Sequence, residues 1–182
     1  MTLSNEDGKL FYRLWLPLLD YVNERSKVKK SLRDMAHSMH IDPLDVKAVS
    51  NKLLEDLSII DDYLALHPEL PEAHKEIIRS WKHSFSGKFL MDRHLKKGTI
   101  FTSFEDEKVY LVLGIISEYD EMFEDYPMPL IVDATLMPFK DVIITDGLIV
   151  PYNVILGSNM NASFKKIYLE AKQNQSIIEN IG

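Results

Sequence analysis

The sequence predicts an α+β fold: an N-terminal helical lobe, then an antiparallel β-meander, then a C-terminal helix. Three observations predict it. Apolar residues recur at helical spacing through the first half. At Ser86-Gly87 that spacing gives way to short apolar runs separated by turn residues. From about Asn161 the helical spacing returns. The expected division is a helical lobe over 1–85 and, over 86–182, an antiparallel sheet or small barrel with a closing helix.

In the first segment, Lys9 to Glu24, residues Leu10, Phe11, Leu14, Trp15, Leu18, Leu19 and Val22 form one apolar face. Pro17 lies inside and removes a backbone hydrogen bond, so a kink or break is expected there. Val28, Leu32, Met35 and Met39 make a second stripe. Asp42-Pro43 reads as an N-cap followed by proline in the first turn. Val46, Val49, Leu53, Leu57 and Ile60 continue a third helix, with a break near Ser58. Pro68 and Pro71 bracket a connection to a helix over Glu72 to Ser84. Its inner face carries Ile77, Ile78, Trp81 and Phe85, and Trp81 is placed to join the helices to the sheet.

Six strands are expected: Lys88 to Leu95, Thr99 to Phe104, Val109 to Ile116, Leu130 to Met137, Val142 to Thr145 and Leu148 to Leu156. Asp146-Gly147 fits a two-residue hairpin turn between the last two, because that pair accepts positive φ. In meander order these strands form one curled sheet. It is either closed as a small SH3-like barrel or left open under the last helix, about Asn161 to Asn174.

The 182 residues suffice for one domain or two small lobes, and the 46% hydrophobic content is that of a globular protein. There is no cysteine, so disulfides, thiolate metal sites and a cysteine nucleophile are excluded. A reducing, cytoplasmic setting is expected. The polar first residues do not resemble a secretory signal, and no apolar run reaches the ~20 residues of a membrane helix. The net charge of −7 is uneven. Residues 1–98 carry 16 basic and 15 acidic side chains, whereas residues 99–182 carry 5 and 13. The second half should repel nucleic acid and anionic membrane.

Leu32 to Asn51 has the spacing of a helix-turn-helix unit, with Ala36 in its first helix and His40 at the turn. Its second helix carries Asp42, Asp45, Glu55 and Asp56 against Lys47 and Lys52, which opposes phosphate contact. Lys29, Lys30 and Arg33, with Lys47, are the residues such a binder would use. His37 and His40, with Asp42 close behind, have a zinc-compatible spacing but lack a complete ligand set. The acidic run Glu118, Asp120, Glu121, Glu124 and Asp125 lacks the pattern of a calcium loop. Ser84, Ser86, His83 and His94 form no recognisable nucleophile motif, and no phosphate loop is present. Asp133 and Asp146 are the carboxylates available for acid–base work. Lys88, Arg93, Lys96 and Lys97 form the clearest basic cluster, and Arg93, Lys96 and Lys97 are the expected partner contacts.

From Ile59 onward, over roughly two-thirds of the chain, the sequence resembles an uncharacterised bacterial protein family. The carrying segments are Ser80-Trp81-Lys82, Gly87-Lys88-Phe89, His94-Leu95-Lys96-Lys97, Thr99-Ile100-Phe101, Val109-Tyr110 with Leu113-Gly114, and Met137-Pro138-Phe139-Lys140 through Ile143-Ile144 to Asp146-Gly147-Leu148. Tyr152 and the Tyr168, Ala171, Lys172 helix also fit. Met137 stands where the family motif has Leu. Some similar proteins carry a Cys-rich, metal-binding SEC-C tail, which a cysteine-free chain does not imply. The family implies no activity.

These readings lead to a non-catalytic cytosolic interaction or regulatory module, with a protein partner, no cofactor and no metal. The alternatives are a helix-turn-helix nucleic-acid binder and an enzyme of unrecognised type, a hydrolase using Asp133 or Asp146.

Overall fold

The computed structural model describes residues 1–29, 32, 34, 35, 37 and 41–182. The elements run α1 (Asn5–Ser26), α2 (Pro43–Glu55), α3 (Ile59–Leu66), α4 (Glu72–Ser80), a 3-10 turn (Trp81–His83), β1 (Phe85–Leu95), β2 (Gly98–Ser103), β3 (Val109–Leu113), α5 (Tyr119–Met122), β4 (Leu130–Phe139), β5 (Val142–Thr145), β6 (Val150–Pro151) and α6 (Ser158–Gln173). The mixed α+β architecture is the expected one.

Helix α1 starts at an N-cap, where Ser4 Oγ accepts the Asp7 amide at 3.1 Å. It continues through Pro17 without a break. Phe11, Leu14, Trp15, Leu18, Leu19 and Val22 are all buried on either side of the proline, and this burial holds the helix together despite the missing hydrogen bond. At the other end Lys27 is left-handed, with φ 51°, and its amide donates to Asn23 O at 2.7 Å.

The stripe at Val28, Leu32 and Met35 is not helical; Met39 lies outside the described residues. Two polar side chains of α1 take over the backbone groups that a helix would have paired. Asn23 Nδ2 donates to Lys29 O and Leu32 O, each at 2.8 Å, and its Oδ1 accepts the Lys29 amide at 2.8 Å. The Asp20 carboxylate accepts the Met35 amide at 2.8 and 2.9 Å. Met35 is thereby held in the core, 1% exposed, without a helix around it. The first helix expected of the helix-turn-helix unit is therefore missing at residues 32, 34, 35 and 37, while Ala36 and His40 lie outside the described residues. Asp42 does cap α2, accepting the Leu44 amide at 2.9 Å, with Pro43 in the first turn. The break near Ser58 separates α2 from α3.

Strands β1, β2 and β3 form an antiparallel meander, and β4 and β5 form a hairpin. The hairpin does not simply continue the meander. β5 inserts beside β3 in parallel, pairing Val112 with Ile143 and Leu113 with Ile144. β4 in turn pairs antiparallel with β1, from Phe85↔Leu136 to Met91↔Leu130. Backbone pairing thus runs β1–β2–β3–β5–β4 and back to β1. The chain ends add to β3 where these strands leave groups unpaired: Leu3 N donates to the O of Gly114, just past β3, at 2.9 Å, and Leu111 N to Ile178 O at 2.9 Å.

The segment 148–156 is not the sixth full strand expected. Only Val150–Pro151 is strand, and it pairs with Val132 and Asp133 of β4 rather than with β5. Asp146-Gly147 is consequently not a two-residue hairpin turn, although Gly147 does have a positive φ of 82°. Side chains satisfy the amides that a hairpin would have paired: Gly147 N donates to Thr145 Oγ1 at 3.2 Å and Leu148 N to Asp146 Oδ1 at 3.1 Å.

Strand alternation divides the sheet between cores. Phe89, Phe101, Val112, Leu130, Val132, Leu136 and Ile143 pack together. Met137, Phe139 and Ile144 instead join Phe11, Trp15, Ile78 and Trp81. Trp81 is 1% exposed, with its ring centroid 5.2 Å from Trp15 and 6.0 Å from Phe11. It joins helices to sheet as its spacing predicts. A third cluster seats Tyr168 and Ala171 of α6 on Ile100, Val109 and Leu111.

Candidate functional site

Between α2 and the sheet lies a network built around Asp146, whose side chain is 0% exposed. Lys47 and Ser50, one turn apart on α2, both reach it. Lys47 Nζ is 3.0 Å and Ser50 Oγ 2.9 Å from Asp146 Oδ2. Lys47 also donates to Thr135 Oγ1 at 3.1 Å, and Thr135 shares a 2.8 Å hydrogen bond with the exposed Ser86 hydroxyl. With the Leu148 amide on Oδ1, both carboxylate oxygens are satisfied, as a buried charge requires. The Tyr12 phenol is pushed up by its burial and by the Asp146 charge. The buried Tyr119 phenol, bonded to Leu113 O and Thr145 Oγ1, is raised mainly by burial.

The path Lys47–Thr135–Ser86 has the outline of a base, a relay and a nucleophile. Its chemistry runs the other way. Lys47 donates to Thr135 and Asp146, and an ammonium held as a donor cannot accept the Ser86 proton. Ser50 is buried and bonded to Asp146. The network is therefore suited to fixing α2 on the sheet. Asp133 is bound elsewhere, accepting the Tyr152 phenol.

The basic residues expected to act together lie along β1 and the β1–β2 turn. Arg93 stacks on Tyr168, 4.0 Å from the ring centroid, and pairs with Asp92. Lys88 lies over the Tyr152 ring at 4.5 Å. Lys96 and Lys97 are exposed at the β1–β2 turn. A bulge between Met91 and Arg93 breaks the register along β1. On the helical side, Lys47 turns inward to Asp146 instead of facing outward, and Lys29 pairs with Asp45 at 2.6 Å. Lys30 and Arg33 lie outside the described residues. His37 is exposed beside Asp34 at 2.6 Å, which raises its affinity for a proton. Among the described residues no group of three or more His, Asp or Glu is arranged to hold a metal. Ser84 is buried, whereas His83 is exposed; His94 bonds to Thr99 Oγ1 at 2.9 Å.

A different surface stands out for its exposed apolar side chains. Residues 126–130, 152–156 and Asn161 line a cleft of about 190 Å³. Ile155 is 90% exposed and Val154 57%; Tyr126 is exposed in the lining too, and Val150 and Met160 are exposed on residues flanking it in sequence. Sequence reasoning missed it by taking 148–156 as a paired strand. Pro151 was the available signal, since proline is confined to sheet edges and strand starts. A larger depression, about 660 Å³, is lined by Asp20, Asn23, Glu24, Lys27, Lys29, Leu32 and Asp34. Asn23 and Asp20 there already hold the backbone of residues 29, 32 and 35.

Among the described residues no helix is long and apolar enough to cross a membrane. Comparison of the chain with protein-family models, curated proteins and solved structures finds no match.

Proposed function

We propose that this chain is a non-catalytic protein-interaction module whose contact surface is the cleft between residues 126–130 and 152–156. The carrying observation is the gathering of exposed apolar side chains around that cleft, with Ile155 at 90% exposure. Apolar side chains grouped around a concavity are a feature of partner surfaces. The groups best equipped for chemistry point the same way, because Lys47 and Ser50 both donate to the buried Asp146.

A photo-crosslinking amino acid at Ile155, compared with one at the exposed Leu44 of α2, tests the reading. A discrete protein adduct at 155, absent at 44 and lost with Tyr126→Ser, is expected. Equal adducts at both positions, or none, would contradict it.

The enzymatic alternative has one specific observation in its favour, the hydrogen-bonded path from Lys47 to the exposed Ser86. Covalent labelling of Ser86 by a fluorophosphonate, abolished by Lys47→Met in a folded variant, would replace the module reading with a hydrolase. No labelling is expected.

A further inference from the structure

We infer that the cleft receives a segment that is both apolar and basic, supplied by another protein. This inference rests on the cleft being the contact surface and adds the chemistry of what fills it. The lining itself carries no charged side chain, and residues 118–125, which lead into it, contain five acidic residues and no basic one. Glu124 and Asp125 immediately precede the lining residue Tyr126 and are exposed. Asp120, Glu121, Glu124 and Asp125 make no ion pair with any described residue, whereas Glu118 is 2.8 Å from the N-terminal amine. Of the cations near it, Lys88 lies on the Tyr152 ring with Asp133 as its strand partner across β1–β4, and Lys165 and Lys166 follow Asn161 by one turn of α6. The apolar floor therefore has an acidic approach with unused charge. Such a surface favours a partner whose apolar anchors are flanked by Lys or Arg and disfavours one flanked by carboxylates. Nucleic acid and anionic lipid are disfavoured on the same ground.

The experiment uses the full chain and a fluorescent 12-residue peptide of leucine and lysine, followed by anisotropy. A matched leucine–glutamate peptide is the comparison. The lysine peptide is expected to bind, and more weakly as salt is raised. Its binding should weaken about tenfold with Glu124→Lys/Asp125→Lys, and about tenfold again with Ile155→Ser. The glutamate peptide should bind at least about tenfold less tightly than the lysine peptide. All these positions are exposed, and unchanged melting curves will verify that the variants fold. If both peptides bind equally and both depend on Ile155, the basic-segment inference is overturned while the contact surface stands. If neither peptide responds to Ile155→Ser and crosslinking at 155 also fails, the contact surface itself is refuted. Self-association lost with Ile155→Ser in sedimentation would instead assign the cleft to a second copy and overturn the inference.

Discussion

Gly147 carries a φ of 82°, a region where an L side chain costs about 1–2 kcal/mol. A Cβ there would find room, with Ile115 Cδ1 and Tyr12 Oη each 3.5 Å away, so backbone strain sets the cost rather than collision. Gly147→Val should lower stability by about 2 kcal/mol, and Gly147→Asn by clearly less. Urea midpoints distinguish the two. Equal midpoints for wild type and valine variant would show that the turn relaxes. The dipeptide Asp146-Gly147 correctly signalled positive φ. What it could not signal was that the Asp146 carboxylate would turn inward to Lys47, a residue 99 positions away. His94 gives a pH test at the same scale. Burial disfavours its protonated form, so the folded pKa lies below the ordinary value of 6.5. The unfolded chain then binds more protons as pH falls below about 6.5, and stability should decline with it. His94→Gln should flatten that part of the stability–pH profile, and an unchanged slope would remove His94 from the account.

Helix α2 is fixed by the charge pair beneath it. Lys47→Met leaves the buried Asp146 with only Ser50 and the Leu148 amide, and should cost about 3 kcal/mol in chemical denaturation. A loss under about 1 kcal/mol would mean that water replaces the lysine. The N-terminal clasp is a second element-level test. Asn23→Ala removes three hydrogen bonds to the backbone of residues 29 and 32 and should cost about 2 kcal/mol. Amide exchange at Lys29 should accelerate, and unchanged exchange would contradict the clasp. Local signals were legible here: the Asp42-Pro43 cap and the break near Ser58 follow from short-range chemistry. The stripe at 28, 32 and 35 misled because helical spacing marks core-facing positions, and polar side chains of α1 seat this segment against the core, with Met35 buried and Val28 and Leu32 partly buried, without a helix. The parallel contact of β5 with β3 was illegible for a related reason, since short apolar strands do not specify which neighbour they pair with.

Trp15 and Trp81, the two tryptophans of the chain, meet in a core shared by helices and sheet. Trp81→Ala should cost about 3–5 kcal/mol through the cavity it leaves. In the unmodified protein, tryptophan fluorescence and far-UV circular dichroism should report one common unfolding midpoint. Separated midpoints would mean that helices and sheet unfold independently. At this scale the acidic second half was readable from composition, and it gives the charge around the cleft. Of the cleft itself, Pro151 was the one sequence signal. It depends on 152–156 leaving the sheet after a two-residue strand, where Pro151 marks an edge but the pairing with β4 follows from tertiary packing. The cleft, and not α2, is the face proposed to meet a partner. Amide chemical-shift mapping of the isotope-labelled chain, titrated with the leucine–lysine peptide, tests this most directly. The predicted result is shifts concentrated at residues 126–130 and 152–156, with those of 43–55 unmoved. The largest shifts along 43–55, or none at 152–156, would contradict it.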